Sequence, residues 1–122
     1  MPSPPHIIIA DDHDDVRALL SKIVARACPT CTITAVANGV EALAAYDAAG
    51  ADLLITDYAM PIMTGLALTY TLRAQQATLP ILVISMNTSI AEAVVNAGAT
   101  RFLAKPFSLP ELQQIVMELL AP

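Results

Sequence analysis

The chain has 122 residues, 56% of them hydrophobic and 14% charged, a composition that suits a packed globule and excludes intrinsic disorder. That length is read as one domain over 1–122, with about 6–120 structured, enough to bury roughly 60–70% of its unfolded surface without staples. Eleven Asp and Glu against six Lys and Arg give a net charge of -5, and without Trp or a basic stripe, direct nucleic-acid binding is not expected. No apolar run reaches the roughly 18 residues of a membrane span, and the Met1-to-His6 stretch lacks the features of a signal peptide, so the expectation is a cytoplasmic protein.

In chain order, the first apolar run is His6–Ala10, short and β-branched as a buried strand should be, and it ends on Asp11 and Asp12. A helical period follows in Val16, Leu19, Leu20, Ile23, Val24 and Ala27, read as one buried face. Cys28 and Cys31 come next in a Cys-Pro-Thr-Cys spacing. At the end of a helix the dipole opposes a thiolate, so the pair is read as two small apolar residues in a helix-to-strand turn rather than a redox couple. No second cysteine pair is present to complete a zinc site.

Strand runs follow at Thr32–Val36, Asp52–Thr56, Pro80–Ser85 and Thr100–Leu103, and helical candidates at Gly39–Ala49, Thr64–Gln76 and Thr88–Ala97. Gly98 is placed as a helix stop, and Ser108 with Pro110 and Glu111 as a helix start. The final helix repeats the buried-face pattern in Leu109, Leu112, Ile115, Val116, Leu119 and Leu120. Ile90, Val94 and Val95 are read as mostly core, with any exposed member favouring a partner surface.

Strand and helix alternating five times predict a parallel sheet covered on both faces, whose working edge lies beyond the carboxyl ends of the strands. Asp11 and Asp12, Asp57, Ser85 and Lys105 all fall at that edge. Clustered carboxylates repel unless a cation sits among them, and Mg2+, held by one or two carboxylates, waters and phosphate oxygens, is the natural occupant. An aspartate is a competent phosphoryl acceptor, Lys105 a mobile countercharge, and the Ser85 hydroxyl a donor that gains an acceptor once a phosphoryl group arrives.

The Ile-Ala-Asp-Asp run ending at 12, the stretch from Asp57 through Met60-Pro61 to Gly65, Ser85, and the stretch from Ala97 to Phe107 closely resemble the receiver domain of two-component response regulators. The resemblance covers nearly the whole chain. It implies a five-stranded sheet in order 2-1-3-4-5, a doubly wound flavodoxin-like (βα)5 sandwich. It further implies that Asp57 is the phosphoacceptor and, with Asp12, a direct Mg2+ ligand. Asp11 would act through water, and Ala59 would lend a backbone carbonyl. Mn2+ is the alternative ion. Ser85 and Phe102 match the hydroxyl and aromatic switch residues, Phe102 being compatible with core packing as well. Lys105 matches the phosphate-pairing lysine, with a cis bond to Pro106.

The partners implied are a sensor histidine kinase or a histidine phosphotransfer protein, and a downstream target or fused output domain that reads the surface of helix 4, strand 5 and helix 5. A homodimer would use the same logic. No enzymatic turnover beyond slow self-catalysed phosphotransfer and dephosphorylation is expected, and no membrane contact. Met86 stands where the family usually has Ala or Gly, so it and Asn87 are read as gating residues. His6 and His13 invite a metal or phosphohistidine reading, but His13 is read as pointing to solvent from the first helical turn.

Three rival functions share parts of this pattern. A phosphatase of the haloacid dehalogenase type needs a second Asp where this chain has Ala59. A flavin module on the same strand order needs a hydroxyl- and amide-rich first loop, whereas this one runs Asp11-Asp12-His13-Asp14-Asp15. A phosphorylation-independent docking module is the closest rival, disfavoured because the acceptor set is complete.

Overall fold

A computed structural model describes residues 3–122; Met1 and Pro2, part of the amino-terminal stretch read above, lie outside them. The elements are β1 (His6–Ala10), α1 (Asp14–Ala27), β2 (Thr32–Val36), α2 (Gly39–Ala49), β3 (Leu53–Asp57), α3 (Gly65–Ala74) and β4 (Ile81–Ser85). A short 3-10 turn (Thr88–Ile90), α4 (Ala91–Asn96), β5 (Arg101–Ala104) and α5 (Leu109–Leu120) complete it. The sheet order is β2-β1-β3-β4-β5, every neighbouring pair parallel, which is the flavodoxin-like α/β fold.

Side chains alternate across a strand, so the central strands feed two cores. Ile7, Ile9, Ile55 and Ile84 pack against Leu20, Ile23 and Val24 of α1 and Leu112, Ile115 and Val116 of α5. Ile8, Leu54 and Val83 face Ala42 of α2, Leu68 and Leu72 of α3 and Val94 of α4. Within the expected helical faces, Leu19 and Leu109 prove exposed rather than buried. Both line a groove between α1 and the start of α5 with Lys22, Ile23 and Arg26. Val95 is likewise exposed while Val94 is fully buried.

The fourth helix is shorter than its apolar period predicts. The Asn87 side chain accepts the Ser89 N–H and the Ser89 hydroxyl, a local bond that competes with helix, so the segment opens as a 3-10 turn before α4 begins. In α3, Thr64 is the N-cap rather than a helical residue, accepting the Ala67 N–H. Thr69 and Thr71, poor helix formers, are accommodated because each hydroxyl donates to the carbonyl four residues back. Gln76 and Gly98 take positive φ just beyond α3 and α4, and the Gly98 carbonyl accepts a bond from Arg73 Nε. Ser108 caps α5 through the Glu111 N–H, as its spacing predicts.

The cysteine reading needs correction. Cys28 and Cys31 are joined in a disulfide rather than being two free apolar side chains. Cys28 caps the end of α1, and the turn made by the Cys31 N–H on the Cys28 carbonyl brings the two Cα atoms to 5.4 Å, within bridging range. Such bonds are uncommon in reducing compartments. Among the described residues, no helix is long and apolar enough to cross a membrane.

Candidate functional site

Strand register builds the site. Ala10 pairs with Thr56, Asp57 with Ile84 and Ser85 with Ala104, so the next residues along β1 and β5, Asp11 and Lys105, stand beside Asp57 and Ser85 at one edge. A cavity of about 290 Å³ opens there, lined by Asp57, Tyr58 and Ala59 from β3 and its loop and by Ser85, Met86 and Asn87 from β4. Lys105 and His13 close its sides.

Lys105 Nζ lies 3.2 Å from Asp57 Oδ1 and 3.8 Å from Asp11 Oδ2. Asp11 is fully buried and Asp57 nearly so, an expensive arrangement for two carboxylates with one ammonium between them. Burial raises the Asp57 pKa above the usual carboxylate value, Lys105 opposes the rise, and the Asp11 charge adds to it. Two oxygens, Asp11 Oδ2 and Asp12 Oδ1, are buried without a hydrogen-bond donor. Ligand atoms from Asp11, Asp12, His13 and Asp57 all lie within 4.8 Å of one another. Clustered carboxylate oxygens that one ammonium only partly offsets, two of them buried without a hydrogen bond, fit a small hard cation, and Mg2+ suits such a donor set.

His13 departs from expectation. Its ring is solvent-accessible, but it leans back over the acids, with Nδ1 3.2 Å from Asp12 Oδ1 and 3.5 Å from Asp11 Oδ1. The backbone explains the turn: the His13 N–H donates to Asp11 Oδ1 at 2.9 Å, folding the loop onto the carboxylate before α1 begins. His6 lies elsewhere, its ring nitrogens contacting the Gly50 carbonyl and Thr34 Oγ1.

Ser85 Oγ accepts the Asn87 N–H at 3.0 Å, leaving its own hydrogen free to donate. Phe102 is partly buried against the α2–α3–α4 face of the sheet, not in the cavity. The Lys105–Pro106 bond is cis, as the resemblance implies. Met86 is 79% exposed at the cavity mouth.

Sequence reasoning missed three supports. Arg17 Nη1 donates to the Asp11 carbonyl at 2.9 Å while Nη2 pairs with Asp14, strapping α1 to the acidic loop. A Cβ at Gly65 would lie 2.6 Å from the Asp57 carbonyl, so only glycine lets the loop pass there, and its N–H donates to Tyr58 O. Ile62, 82% exposed, adopts φ 72° in the same loop, a conformation that a β-branched residue rarely holds. The Met-Pro-to-Gly spacing was the available signal for the first glycine of α3; nothing in the sequence marked the other two.

A family model for the response regulator receiver domain matches residues 7–117. Protein PetR of Rhodobacter capsulatus is 36% identical over 90% of this chain and 46% of its own length. The chain spans about half or less of the length of the curated relatives it matches. Among solved structures, the chemotaxis response regulator CheY4 of Vibrio cholerae superposes with a TM-score of 0.86 at 29% identity, covering 95% of this chain and 98% of that one. The receiver domain of the Pseudomonas aeruginosa sensor histidine kinase PA1611, with a magnesium ion coordinated in its active-site cleft, gives 0.85 at 25% identity, covering 96% and 98%.

Proposed function

Because the chain belongs to the response regulator receiver domains of two-component systems, we propose that it accepts a phosphoryl group on Asp57 and answers with a change in its surface. The observation that carries this is the Lys105–Asp57 pair at 3.2 Å beside buried Asp11 and Asp12 oxygens without donors. Asp12, Asp57 and the Ala59 carbonyl would hold Mg2+ directly and Asp11 through water, with Mn2+ as the alternative ion. When bound, the ion neutralises charge on the transferring group.

In the transfer, an Asp57 carboxylate oxygen forms the new P–O bond while the P–N bond of a phosphohistidine donor breaks, the imidazole leaving with the electron pair. The donor class is a histidine kinase or a histidine phosphotransfer protein. Lys105 releases Asp57 and pairs with phosphoryl oxygens, as a compact charge on a flexible stem can. The Ser85 hydroxyl turns its free hydrogen to the phosphoryl group, drawing in the β4–α4 segment, and Phe102 swings inward behind it. The surface of α4, β5 and α5 then differs, to be read by a downstream protein, a fused output domain or a second copy of the chain. This is signalling by one modification event, not turnover. Met86 and Asn87 regulate access at the mouth.

Intact-mass measurement after incubation with acetyl phosphate and Mg2+ tests the reading. The wild type gains the mass of one phosphoryl group, and Asp57→Asn gains none. A wild-type protein that binds Mg2+ but stays unmodified, or an Asp57→Asn protein that is modified equally, overturns it.

A further inference from the structure

His13 lines the cavity with an imidazole that the phosphoryl chemistry leaves idle. We infer that the His13 imidazole is a ligand of the cation site, so that the pocket holds late first-row divalent ions, Zn2+ and Co2+, more tightly than its carboxylates alone would. The inference rests on the cation site of the proposed phosphoacceptor.

Spacing is the first argument. Metal bonds of about 2.0–2.2 Å to nitrogen and oxygen put neighbouring ligand atoms roughly 3.0–3.5 Å apart around a common ion. His13 Nδ1 stands 3.2 Å from Asp12 Oδ1 and 3.5 Å from Asp11 Oδ1, edges of that size. The second is the kind of contact: Asp12 Oδ1 is buried without a hydrogen bond although the ring nitrogen is near, so imidazole and carboxylate are gathered about one place rather than bonded to each other. The third is burial, since Asp11 is fully buried and its Oδ2 also has no donor. With all four ligand atoms within 4.8 Å, a contraction of a few tenths of an ångström, by roughly the span of two metal bonds, closes the set. Oxygen ligands serve Mg2+; imidazole adds affinity for zinc-like ions and little for Mg2+.

Binding of Co2+ alone and of Mg2+ alone is measured by calorimetry on wild type, His13→Ala and His13→Asn, without reductant so that Cys28 and Cys31 stay joined. His13 is the N-cap of α1 and makes no side-chain cap bond, so Asn there preserves or improves the helix start and keeps the experiment free of folding artefacts. Expected is a loss of Co2+ affinity of about tenfold or more in both variants, with Mg2+ affinity within about twofold. In the wild type, Zn2+ shifts the His13 ring nitrogen resonances while those of His6 stay in place. Unchanged Co2+ affinity, an equal loss for Mg2+, or an unshifted His13 ring overturns the inference. Acetyl phosphate labelling of wild-type Asp57 runs in parallel: its failure removes the phosphoacceptor reading, whereas labelling without a Co2+ effect removes only the role of His13.

Discussion

The loops that follow β3 and β4 meet over the same cavity but are held very differently. After β3, the Tyr58 N–H bonds to Ile84 O, the Gly65 N–H to Tyr58 O, and Thr64 caps α3. Thr56 Oγ1 donates to the Asp57 carbonyl, which a Cβ on Gly65 would approach to 2.6 Å. After β4, Met86, Asn87, Thr88 and Ser89 are all exposed, tied down by Ser85 and Asn87 side-chain bonds, and lead into a helix of six residues. Asp57 ends the strand that leads into the anchored loop, and Ser85 ends the strand that leads into the loose one. In the proposed function this arrangement would hold the carboxylates in place while the hydroxyl side moves, because elements with few buried contacts open at low cost. The strained Ile62 backbone fits the same contrast, since only a loop fixed at both ends holds such a conformation.

The largest test of that contrast is a single methyl group on the anchored side. Gly65→Ala drives a Cβ to 2.6 Å from the Asp57 carbonyl, a backbone atom that cannot swing away. Expected is a loss of about 1–3 kcal/mol in urea unfolding, together with weaker Mg2+ binding because Asp57 is displaced. Ser89→Ala on the loose side, where the residue is exposed, should change stability by no more than about 0.5 kcal/mol. Equal costs at the two positions would show that the loops are held alike.

A second test uses pH. In the folded chain the Asp57 pKa lies above its usual 3.8, burial being the main cause. Between those two values the native state binds more protons than the unfolded state, so stability falls as pH rises through the window and the deficit persists above it. Asp57→Asn lacks this carboxylate. Without Mg2+, the variant should gain on the wild type as pH rises from about the unfolded carboxylate value, and saturating Mg2+ should narrow the gap. Parallel pH profiles for the two proteins would mean that the buried acid is already compensated without a cation.

What could be read from the chain follows the same division. The strands were legible because Ile7 to Ile9, Leu53 to Ile55 and Ile81 to Ile84 are short apolar runs, and parallel crossovers then carry Asp11, Asp57, Ser85 and Lys105 to one edge without further information. The missed supports, the Arg17 strap, the closeness of Gly65 to Asp57 and the positive φ of Ile62, depend on tertiary geometry that periodicity does not encode, and so does the lean of His13 over the acids. The disulfide escaped for a similar reason, as a Cys-x-x-Cys spacing does not say whether the turn closes. The α4 boundary moved because one Asn side chain outbid the helical period.

The smallest expected effect lies at the mouth of the cavity. Met86 is mostly exposed, so truncation to Ala removes little buried surface and should leave stability within about 0.5 kcal/mol. Its side chain nevertheless lines the opening above Asp57 and Ser85. A flexible thioether there must be moved aside by a small phosphodonor coming in and by the water that later hydrolyses the aspartyl phosphate, and roughly 1 kcal/mol of such hindrance corresponds to about a fivefold rate change. Met86→Ala should therefore speed both acetyl phosphate labelling and autodephosphorylation, by similar factors, in stopped-flow and radiolabel-decay measurements. Acceleration of one alone would assign Met86 to a single reagent's path. No change in either would mean that the loose loop already swings the methionine clear, and the barrier to access would then lie in the anchored loop instead.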